Sequence, residues 1–417
     1  MNSELVLGKL IPEPKLWEPL TVPEAMKLAI QEAFKGSGFV SPNPLVGCVI
    51  LDRENRFLAS GYHPRWGSDH AEINALKKVD PKLLQSAKFI VTLEPCAHEG
   101  KTPSCGKTLA KLPLSEVIFG LVDPNPLVSG QGAEILKQAG IQVSAFEEHS
   151  RVPHFFKNNT AWTPARQQEW VRRLEQTCEH FLYNFRQKQT FISLKVASSW
   201  DGFLGLQTGE SQWITGPEAR ASAHALRAFH EGLLVGAQTV LIDNPSLDIR
   251  VPGFDEKKNK IIVLDGRCQT LLKSDHLQLF QKHRPENLWI FVSEAQFQDC
   301  LSSGHLSKEK LNLLCRAIPL PAKEGHLSIN AICQKLWELG LKSCLVEGGA
   351  QVLSSFISAR KAQRLYLFQA PSLLGGSSGL SWTSAVSIKD MSQKIILKNQ
   401  RFITCGQDLL LTGEFSE

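Results

Sequence analysis

The residues best suited to chemistry lie in the first 105 positions, where one imidazole, two thiols and a carboxylate occur together. His70 precedes Glu72 by two residues, Cys96 follows a proline, and Cys105 comes nine residues later. Zinc prefers nitrogen and sulfur ligands, and three protein ligands leave its fourth position open for water. Because zinc makes that water acidic, a carboxylate beside the metal can move protons. We therefore predict a catalytic zinc site with ligands His70, Cys96 and Cys105, and with Glu72 as its proton carrier.

The same residues have a less specific interpretation when they are taken one at a time. Asp69 and Glu72 form the Asp-x-x-Glu pattern of a helix capping box, and paired cysteines can be buried or bind a structural zinc. Together, the His-x-Glu and Pro-Cys patterns are the signature of zinc-dependent nucleobase deaminases. That signature has two residues between its cysteines, whereas eight separate Cys96 from Cys105. The combination predicts a deaminase with an insert between its two thiol ligands.

The elements that must position these residues alternate between helical and strand-like segments in two regions of the chain. At about 150 residues per domain, 417 residues predict two to three domains. Between the two α/β regions, Trp170, Leu174 and Phe181 have spacings that predict one amphipathic connecting helix. The boundaries that we expect are residues 1–20 for an N-terminal extension, 21–150 for a first domain, 151–188 for a linker and 189–417 for a second domain.

The composition, 42% hydrophobic and 21% charged, is that of an ordinary globular protein. A net charge of +5 is too diffuse to indicate a nucleic-acid binder, and ten cysteines are too few for the disulfide scaffold of a secreted chain. The longest apolar stretches have strand length, and the N-terminus lacks the pattern of a signal peptide. We therefore expect a cytoplasmic enzyme for a small molecule, without a nucleic-acid or membrane partner. The sequence leaves the oligomeric state open and is compatible with a homo-oligomer.

Motifs of the first domain resemble the bifunctional deaminase–reductase family of riboflavin biosynthesis; they are residues 41–47 (SPNPLVG), 70–72 (HAE), 94–105 (EPCAHEGKTPSC) and 123–126 (DPNP). The resemblance implies a cytidine-deaminase-like three-layer fold and one zinc ion per site. It implies hydrolytic deamination of a diaminopyrimidinone that carries a ribosylamino 5′-phosphate. By the same resemblance, the substrate is bound by Asn43, His63, His98, Lys101, Asp123 and Asn125. The alternative for Asn43, Asp123 and Asn125 is a structural role, since they are common turn residues beside proline.

Motifs of the second domain resemble the reductase half of the same family; they are residues 195–202 (KVASSWDG), 209–215 (GESQWIT), 235–245 (VGAQTVLIDNP), 346–351 (VEGGAQ) and 371–376 (PSLLGG). The resemblance implies a dihydrofolate-reductase-like fold in which NADPH reduces the opened ribosyl group to ribityl. No G-x-G-x-x-G fingerprint follows the first strand of this domain, so the cofactor would bind through another loop. The small residues of the 346–351 motif, between a strand and a helix, suit that purpose.

The resemblance also implies roles for individual residues of the second domain. The cofactor would be bound by Ala197, Trp213, Thr239, Asp243 and Gly349. The substrate would be bound by Lys195, Ser211, Arg227, Leu247, Arg250 and Glu347, with Lys195 placed to polarise or protonate the reacting imine. The alternatives are a solvated helix face for Arg227 and a core position for Trp213. Trp200 departs from the family, which has leucine there, and we expect its indole beside the cofactor site.

Two other interpretations remain open at this stage. A polynucleotide-editing deaminase would have a nucleic-acid-binding second half with basic stripes and interleaved aromatic residues. The basic residues here are interspersed with acids and do not cluster beyond pairs such as Arg172-Arg173 and Lys257-Lys258. A structural zinc protein would close the metal with a fourth protein ligand, for which His98 is the candidate. The complete set of motifs favours the bifunctional enzyme.

Overall fold

The computed structural model of the chain describes residues 10–99, 103–125, 129–149 and 163–416. The chain folds into two compact units that divide between Gln187 and Lys188. Each unit has its own β-sheet, so both are α/β structures. Every helix within the described ranges is too short or too polar to cross a bilayer.

The described part of the first unit builds its sheet from five strands: β1 (Gly47–Leu51), β2 (Phe57–Tyr62), β3 (Lys88–Leu93), β4 (Glu116–Leu121) and β5 (Gln142–Ala145). Its helices are α1 (Val22–Phe34), α2 (Ala71–Leu76), α3 (Cys105–Leu109), α4 (Gln131–Gln138), α5 (Phe146–His149), α6 (Pro164–Thr177) and α7 (Glu179–Gln187). The strand order is β2-β1-β3-β4-β5. The pairs β3–β4 and β4–β5 are parallel, whereas β1 is antiparallel to both of its neighbours.

Helices cover both faces of this sheet. One face contributes Phe89 and Val117 to a core that also contains side chains of α2, α3 and α4. On the other face, α1 approaches β1 at Gly47 and Leu174 of α6 packs against Gly120 of β4. The first unit therefore has the three-layer arrangement that the motif resemblance implies.

Two glycines let helices approach the backbone closely enough to position the predicted zinc ligands. A Cβ atom at Gly61 of β2 would lie 2.4 Å from the backbone nitrogen of Ala75 in α2. At Gly132 of α4 it would lie 1.8 Å from the carbonyl oxygen of Pro95. Because neither contact tolerates a side chain, these glycines fix α2 against the sheet and α4 against the turn that contains Cys96.

The second unit contains, among its described residues, the strands β6 (Phe191–Ser199), β7 (Phe203–Leu206), β8 (Gly232–Gly236), β9 (Lys260–Leu264), β10 (Leu288–Ser293), β11 (Arg316–Leu320), β12 (Ala322–Lys323), β13 (His326–Leu327), β14 (Ser343–Val346), β15 (Arg364–Ala370), β16 (Gly379–Ser381), β17 (Leu397–Cys405) and β18 (Asp408–Phe415). Its helices are α8 (Pro217–Phe229), α9 (Ala237–Asp243), α10 (Gln269–Leu272), α11 (Gln278–Lys282), α12 (Glu294–Ser302), α13 (Lys308–Leu314), α14 (Ile329–Glu338) and α15 (Ala350–Ser358).

Nine of these strands form the main sheet, in the order β11-β10-β9-β8-β14-β6-β15-β18-β17. The first seven strands of that order pair in parallel, β18 is antiparallel to β15, and β17 is antiparallel to β18. The central strands β8 and β14 are buried along their whole length. This is expected where helices cover both faces of a parallel sheet. The smaller pairs are β12 with β13 and β16 with β7.

The segment predicted as a linker differs from the expectation of one helix. Its described residues, 163–188, contain two helices, α6 and α7, which end and begin on either side of Cys178. Both lie in the first unit. In α6, Trp170 is buried and its ring centroid is 5.2 Å from that of Phe146. The apolar positions that predicted a connecting helix therefore pack against the first unit.

Candidate active sites

The predicted zinc ligands converge in the first unit. Nδ1 of His70 lies 3.5 Å from Sγ of Cys96 and 3.4 Å from Sγ of Cys105. Zinc–nitrogen and zinc–sulfur bonds of about 2.0 and 2.3 Å at tetrahedral angles separate two such ligands by about 3.5 Å. Among the described residues, the cluster comprises these three side chains, and the exposed His98 is not part of it. The donor set fits a zinc ion with an open fourth position.

Local structure explains why the two thiols can serve as thiolates. Cys105 is the first residue of α3, and its backbone N–H donates to Sγ of Cys96 over 3.3 Å. Hydrogen bonding with Cys105 lowers the pKa of Cys96, and His70 acts in the same direction. The side-chain hydrogen bond between the two cysteines, together with burial, raises the pKa of Cys105. One thiolate therefore holds its neighbour protonated, and a bound dication would favour release of the second proton.

Glu72 lies beside this cluster on the first turn of α2, with 3% of its surface exposed. Burial raises the pKa of Glu72 to about 6, and the neighbouring Cys96 adds to the shift. The predicted capping box with Asp69 is wrong, because the N-cap residue is His70 and no side chain caps the helix. The Asp69 carboxylate instead pairs with Lys77. The Glu72 carboxylate therefore does not cap the helix and lies beside the thiols.

A cavity of about 290 Å³ opens next to the cluster. It brings together the predicted residues Asn43, His63, His70, Glu72, Cys96, His98, Asp123 and Asn125. Lys101, the predicted phosphate partner, lies outside the described residues. The sequence did not assign to this site three aromatic residues that also line the cavity, namely Trp66, Phe181 and Phe185.

Hydrogen bonds orient the polar side of this cavity. Nδ1 of His63 lies 3.0 Å from the carbonyl oxygen of Asp69, so it must donate, and Nε2 is left to accept from the Asn43 amide nitrogen at 3.1 Å. Burial lowers the pKa of His63, which favours this neutral ring. The amide of Asn43 is therefore held with its nitrogen toward His63.

Glu94, the first residue of the 94–105 motif, is a positioning residue. Its buried carboxylate accepts hydrogen bonds from the backbone N–H groups of Asp123 (3.3 Å), Gly130 (3.0 Å) and Ala133 (3.2 Å). The Asp123 carboxylate in turn accepts the backbone N–H of Asn125 at 2.8 Å. One carboxylate thus fixes the loop that carries Asp123 and Asn125 to the start of α4.

The second unit contains a larger cavity of about 910 Å³. The predicted residues that line it are Lys195, Ala197, Ser211, Trp213, Arg227, Thr239, Asp243, Arg250, Glu347 and Gly349. Leu247 is buried and lies outside the described lining. His224 lines the cavity although the sequence did not single it out, and its Nδ1 accepts the backbone N–H of Arg250 at 3.2 Å.

A buried ion pair lies in this cavity. Nε and Nη2 of Arg227 donate to the two carboxylate oxygens of Glu347 over 2.8 and 3.0 Å, and Nζ of Lys195 is 3.7 Å from the same carboxylate. Burial alone would raise the pKa of Glu347, but Arg227 and Lys195 lower it to about 2. Arg227 is therefore not on a solvated helix face. Its guanidinium is bound to Glu347, and Arg250 is the exposed arginine of the two.

Strand ends and helix starts form the region predicted to bind the cofactor. The parallel neighbours β8 and β14 each lead into a helix whose N-cap is a glycine, Gly236 for α9 and Gly349 for α15. Backbone N–H groups at helix starts bind phosphate well, and ligands of parallel sheets bind at the carboxyl ends of the strands. The volume of the cavity and these N–H groups fit a dinucleotide.

Asp201 joins two motifs that are far apart in the sequence. Its carboxylate accepts the backbone N–H groups of Leu374 (3.1 Å) and Gly375 (2.8 Å). This contact explains why the 195–202 and 371–376 motifs occur together. Trp213 is not the core residue of its alternative interpretation, and Trp200 is not beside the cofactor site as expected. Trp213 is 72% exposed with the Arg220 guanidinium 4.6 Å from its ring centroid, and the exposed Trp200 lies outside the described lining of the cavity.

Two family models match the two units separately. The model of the cytidine and deoxycytidylate deaminase zinc-binding region matches residues 21–121, and the model of the RibD C-terminal domain matches residues 190–411. The first match contains His70, Glu72, Cys96 and Cys105. The second contains every residue predicted for the second cavity.

Relatives and solved structures resemble the chain over nearly its whole length. The riboflavin biosynthesis protein RibD of Actinobacillus pleuropneumoniae is 32% identical over 396 residues, which cover 95% of this chain and 96% of the relative. The RibD structure from Acinetobacter baumannii has a TM-score of 0.75 at 28% identity, covering 95% of this chain and 99% of that chain. A Thermotoga maritima structure, described as a diaminohydroxyphosphoribosylaminopyrimidine deaminase and 5-amino-6-(5-phosphoribosylamino)uracil reductase, has a TM-score of 0.73 at 30% identity with the same coverage. The chain therefore belongs to the RibD family of riboflavin biosynthesis proteins, in which a zinc deaminase half is joined to a reductase half.

Proposed function

We propose that this chain catalyses two consecutive steps of riboflavin biosynthesis on one phosphorylated pyrimidine. The first unit hydrolyses an amino group of a diaminopyrimidinone that carries a ribosylamino 5′-phosphate. The second unit reduces the ribosyl group of the product to ribityl with NADPH. The observation that carries the proposal is the presence of two complete side-chain sets in one chain, a three-donor cluster beside a buried carboxylate and a cation-lined cavity beside two helix starts.

In the deaminase site, His70, Cys96 and Cys105 would hold the zinc ion and Glu72 would transfer protons. When bound, zinc supplies a Lewis acid that makes water a nucleophile near neutral pH. Water adds to the ring carbon, the carbon–nitrogen bond breaks and ammonia leaves. Glu72 moves one proton from the water to the ring nitrogen and then a second, from the added hydroxyl, to the leaving amine, which is why the carboxylate must lie beside the ligands and not among them. Asn43, His63, Asp123 and Asn125 bind the polar edges of the pyrimidine.

In the reductase site, Thr239, Asp243, Ala197, Trp213 and Gly349 would bind the dinucleotide. NADPH supplies the hydride that the ribosyl carbon accepts. Arg250 is exposed in the cavity and binds the substrate phosphate, while Arg227 holds Glu347 in place for contacts with the substrate. The Lys195 ammonium, also beside Glu347, can give the proton that completes reduction of the imine. The roles of Arg227 and Arg250 are therefore different, although the resemblance implies that both bind the substrate.

We place this reaction in the cytoplasm. None of the ten cysteines forms a disulfide. Thiols of this number are maintained in a reducing compartment, where disulfides are rare.

The test is mass spectrometry of the diaminopyrimidinone ribosyl phosphate after incubation with the full-length, zinc-loaded chain, with and without NADPH. We expect conversion of an amine to a carbonyl without NADPH and the gain of two further hydrogens with it. Chelation of zinc should stop the first conversion, and re-addition should restore it. Deamination alone would overturn the reductase assignment. No change in either sample would overturn the proposal and favour the structural-zinc and polynucleotide-editing alternatives.

A further inference from the structure

One wall of the deaminase cavity comes from a segment that neither family model matches. The models end at residue 121 and begin again at residue 190, whereas α7 spans Glu179–Gln187. Phe181 and Phe185 of this helix nevertheless line the same cavity as His70, Glu72 and Cys96. The helix is therefore part of the site, although the sequence presents it as part of a linker.

The geometry of α7 directs the two phenylalanines to one side. They are four residues apart and so share a helix face, with ring centroids 6.2 Å apart and planes tilted by 38°. Both rings are half-buried. Leu182 and Asn184 flank this face around the helix axis, and both are buried, so the helix is packed on both sides of the rings. The rings are held in place by an element that is itself packed.

The size of the cavity brings any ring that reacts near Glu72 into contact with its walls. Its volume of about 290 Å³ is at the lower end of the range for small-molecule sites, about 300–1,000 Å³. The polar residues of the cavity, Asn43, His63 and Asp123, have donors and acceptors for the edges of a heterocycle. A phenyl ring has neither, but it offers a π face and edge to a planar ring.

On the basis of the proposed function, we propose that Phe181 and Phe185 form an aromatic wall that binds the face of the substrate's pyrimidine ring and determines specificity at the deaminase site. The polar residues then recognise the ring's edges, and the aromatic wall excludes water from one of its faces. Enzymes that act on nucleobases commonly hold the base against aromatic or apolar side chains in this way.

The test compares the full-length chain with the double variant Phe181→Leu/Phe185→Leu, which retains apolar volume and removes both π faces. We expect the KM for deamination to rise roughly tenfold, since stacking of a base on an aromatic ring contributes that much or more. The kcat should stay within about twofold, because the groups that transfer protons are unchanged. Each single variant should raise KM by about threefold, which gives a second reading if the double variant folds poorly.

The matched control is Tyr183→Leu, an aromatic-to-leucine change on the same helix. Residue 183 is two positions from each phenylalanine, about 200° around the helix, and it is not among the described residues that line the cavity. Its KM should equal that of the unaltered chain, and reduction of supplied deaminated substrate should be unchanged in all variants. Unchanged KM in the double and single leucine variants, or an equal rise with Tyr183→Leu, would overturn the aromatic wall. Absence of deamination in the unaltered chain would instead overturn the proposed function and this inference with it.

Discussion

The two cavities each contain a buried carboxylate, and the two carboxylates have opposite properties. Burial raises the pKa of Glu72 in the first unit to about 6. In the second unit, Arg227 and Lys195 overcome burial and lower the pKa of Glu347 to about 2. Glu72 has a thiolate-forming cysteine as its neighbour, whereas Glu347 has two cations.

The comparison shows that burial alone does not decide what a carboxylate does. Desolvation disfavours charge at both positions, and the neighbouring charges determine the result. Glu347 is fixed as an anion by its partners, so it is suited to bind and position. Glu72 lies beside the metal-ligand cluster, and among the described residues no cationic side chain forms a salt bridge with it. This environment suits a group that exchanges protons.

Glu72→Gln should give the largest effect on the first unit. We expect the deamination rate to fall by a factor of about 10²–10⁴, since the amide keeps the size of the side chain but cannot transfer the proton. The measurement is ammonia release in the full-length, zinc-loaded chain. Reduction of supplied deaminated substrate is the internal control and should not change. A parallel loss of reduction would contradict separate sites.

Glu347→Gln should have the largest effect on the stability of the second unit. It leaves Arg227 buried without its charge partner, and loss of one member of a buried pair costs about 3–5 kcal/mol. We expect a lower unfolding temperature by calorimetry and loss of reductase activity, with deamination retained at low temperature. The control is Glu338→Gln at the more exposed Lys335–Glu338 pair, which should leave the unfolding temperature nearly unchanged. Equal effects of the two changes would contradict the buried pairing.

The stability of the second unit should also depend on pH through His230. This side chain is buried between Ser193 and the carbonyl oxygen of Leu226, and burial lowers its pKa to about 4. The ordinary histidine pKa is about 6.5, so the unfolded chain binds more protons between these values. The contribution of His230 to the free energy of unfolding is therefore fully present above about pH 6.5. It falls as the pH decreases toward 4, by up to about 3 kcal/mol. Denaturant unfolding at several pH values should show a smaller decrease for His230→Asn; an identical decrease would contradict this assignment.

Arg250→Ala should have the smallest of these effects. The side chain is 68% exposed, so its loss leaves no buried charge unpaired. We expect the KM for reduction to rise about tenfold through loss of a phosphate contact, with unchanged deamination and unfolding temperature. Arg284→Ala is the control, since this arginine is also exposed and lies outside the described lining of the cavity. An equal rise in KM for both variants would indicate a general effect of charge.

Much of the fold could be predicted because its buried strands are apolar and bounded by turns. The strands Lys260–Leu264 and Ser343–Val346 have the bounds that their apolar residues predict. Strand β17 does not show this pattern, because it is a sheet edge whose residues mostly alternate between partly exposed and exposed positions, including Lys398 and Arg401. Its sequence therefore lacks the apolar run of a buried strand.

The candidate sites show the same distinction. The zinc ligands belong to the His-x-Glu and Pro-Cys patterns, so their cluster could be predicted before its geometry was known. Glu94 and Asp201 act through backbone N–H groups that are distant in sequence, and no local pattern reveals such partners. Phe181, Phe185 and His224 are ordinary helix residues whose place in a cavity depends on packing.

The hydrogen bonds of Glu94 have a consequence for how the first unit can vary. The carboxylate fixes Asp123 and Gly130 at once, and these residues border the segment 124–129. Since one carboxylate holds both ends of this segment, its length can change by insertion after Asn125 without displacing Asp123. A library of loops inserted after Asn125, which keeps both predicted substrate-binding residues, should therefore yield folded deaminases that differ in the substituent they accept on the pyrimidine.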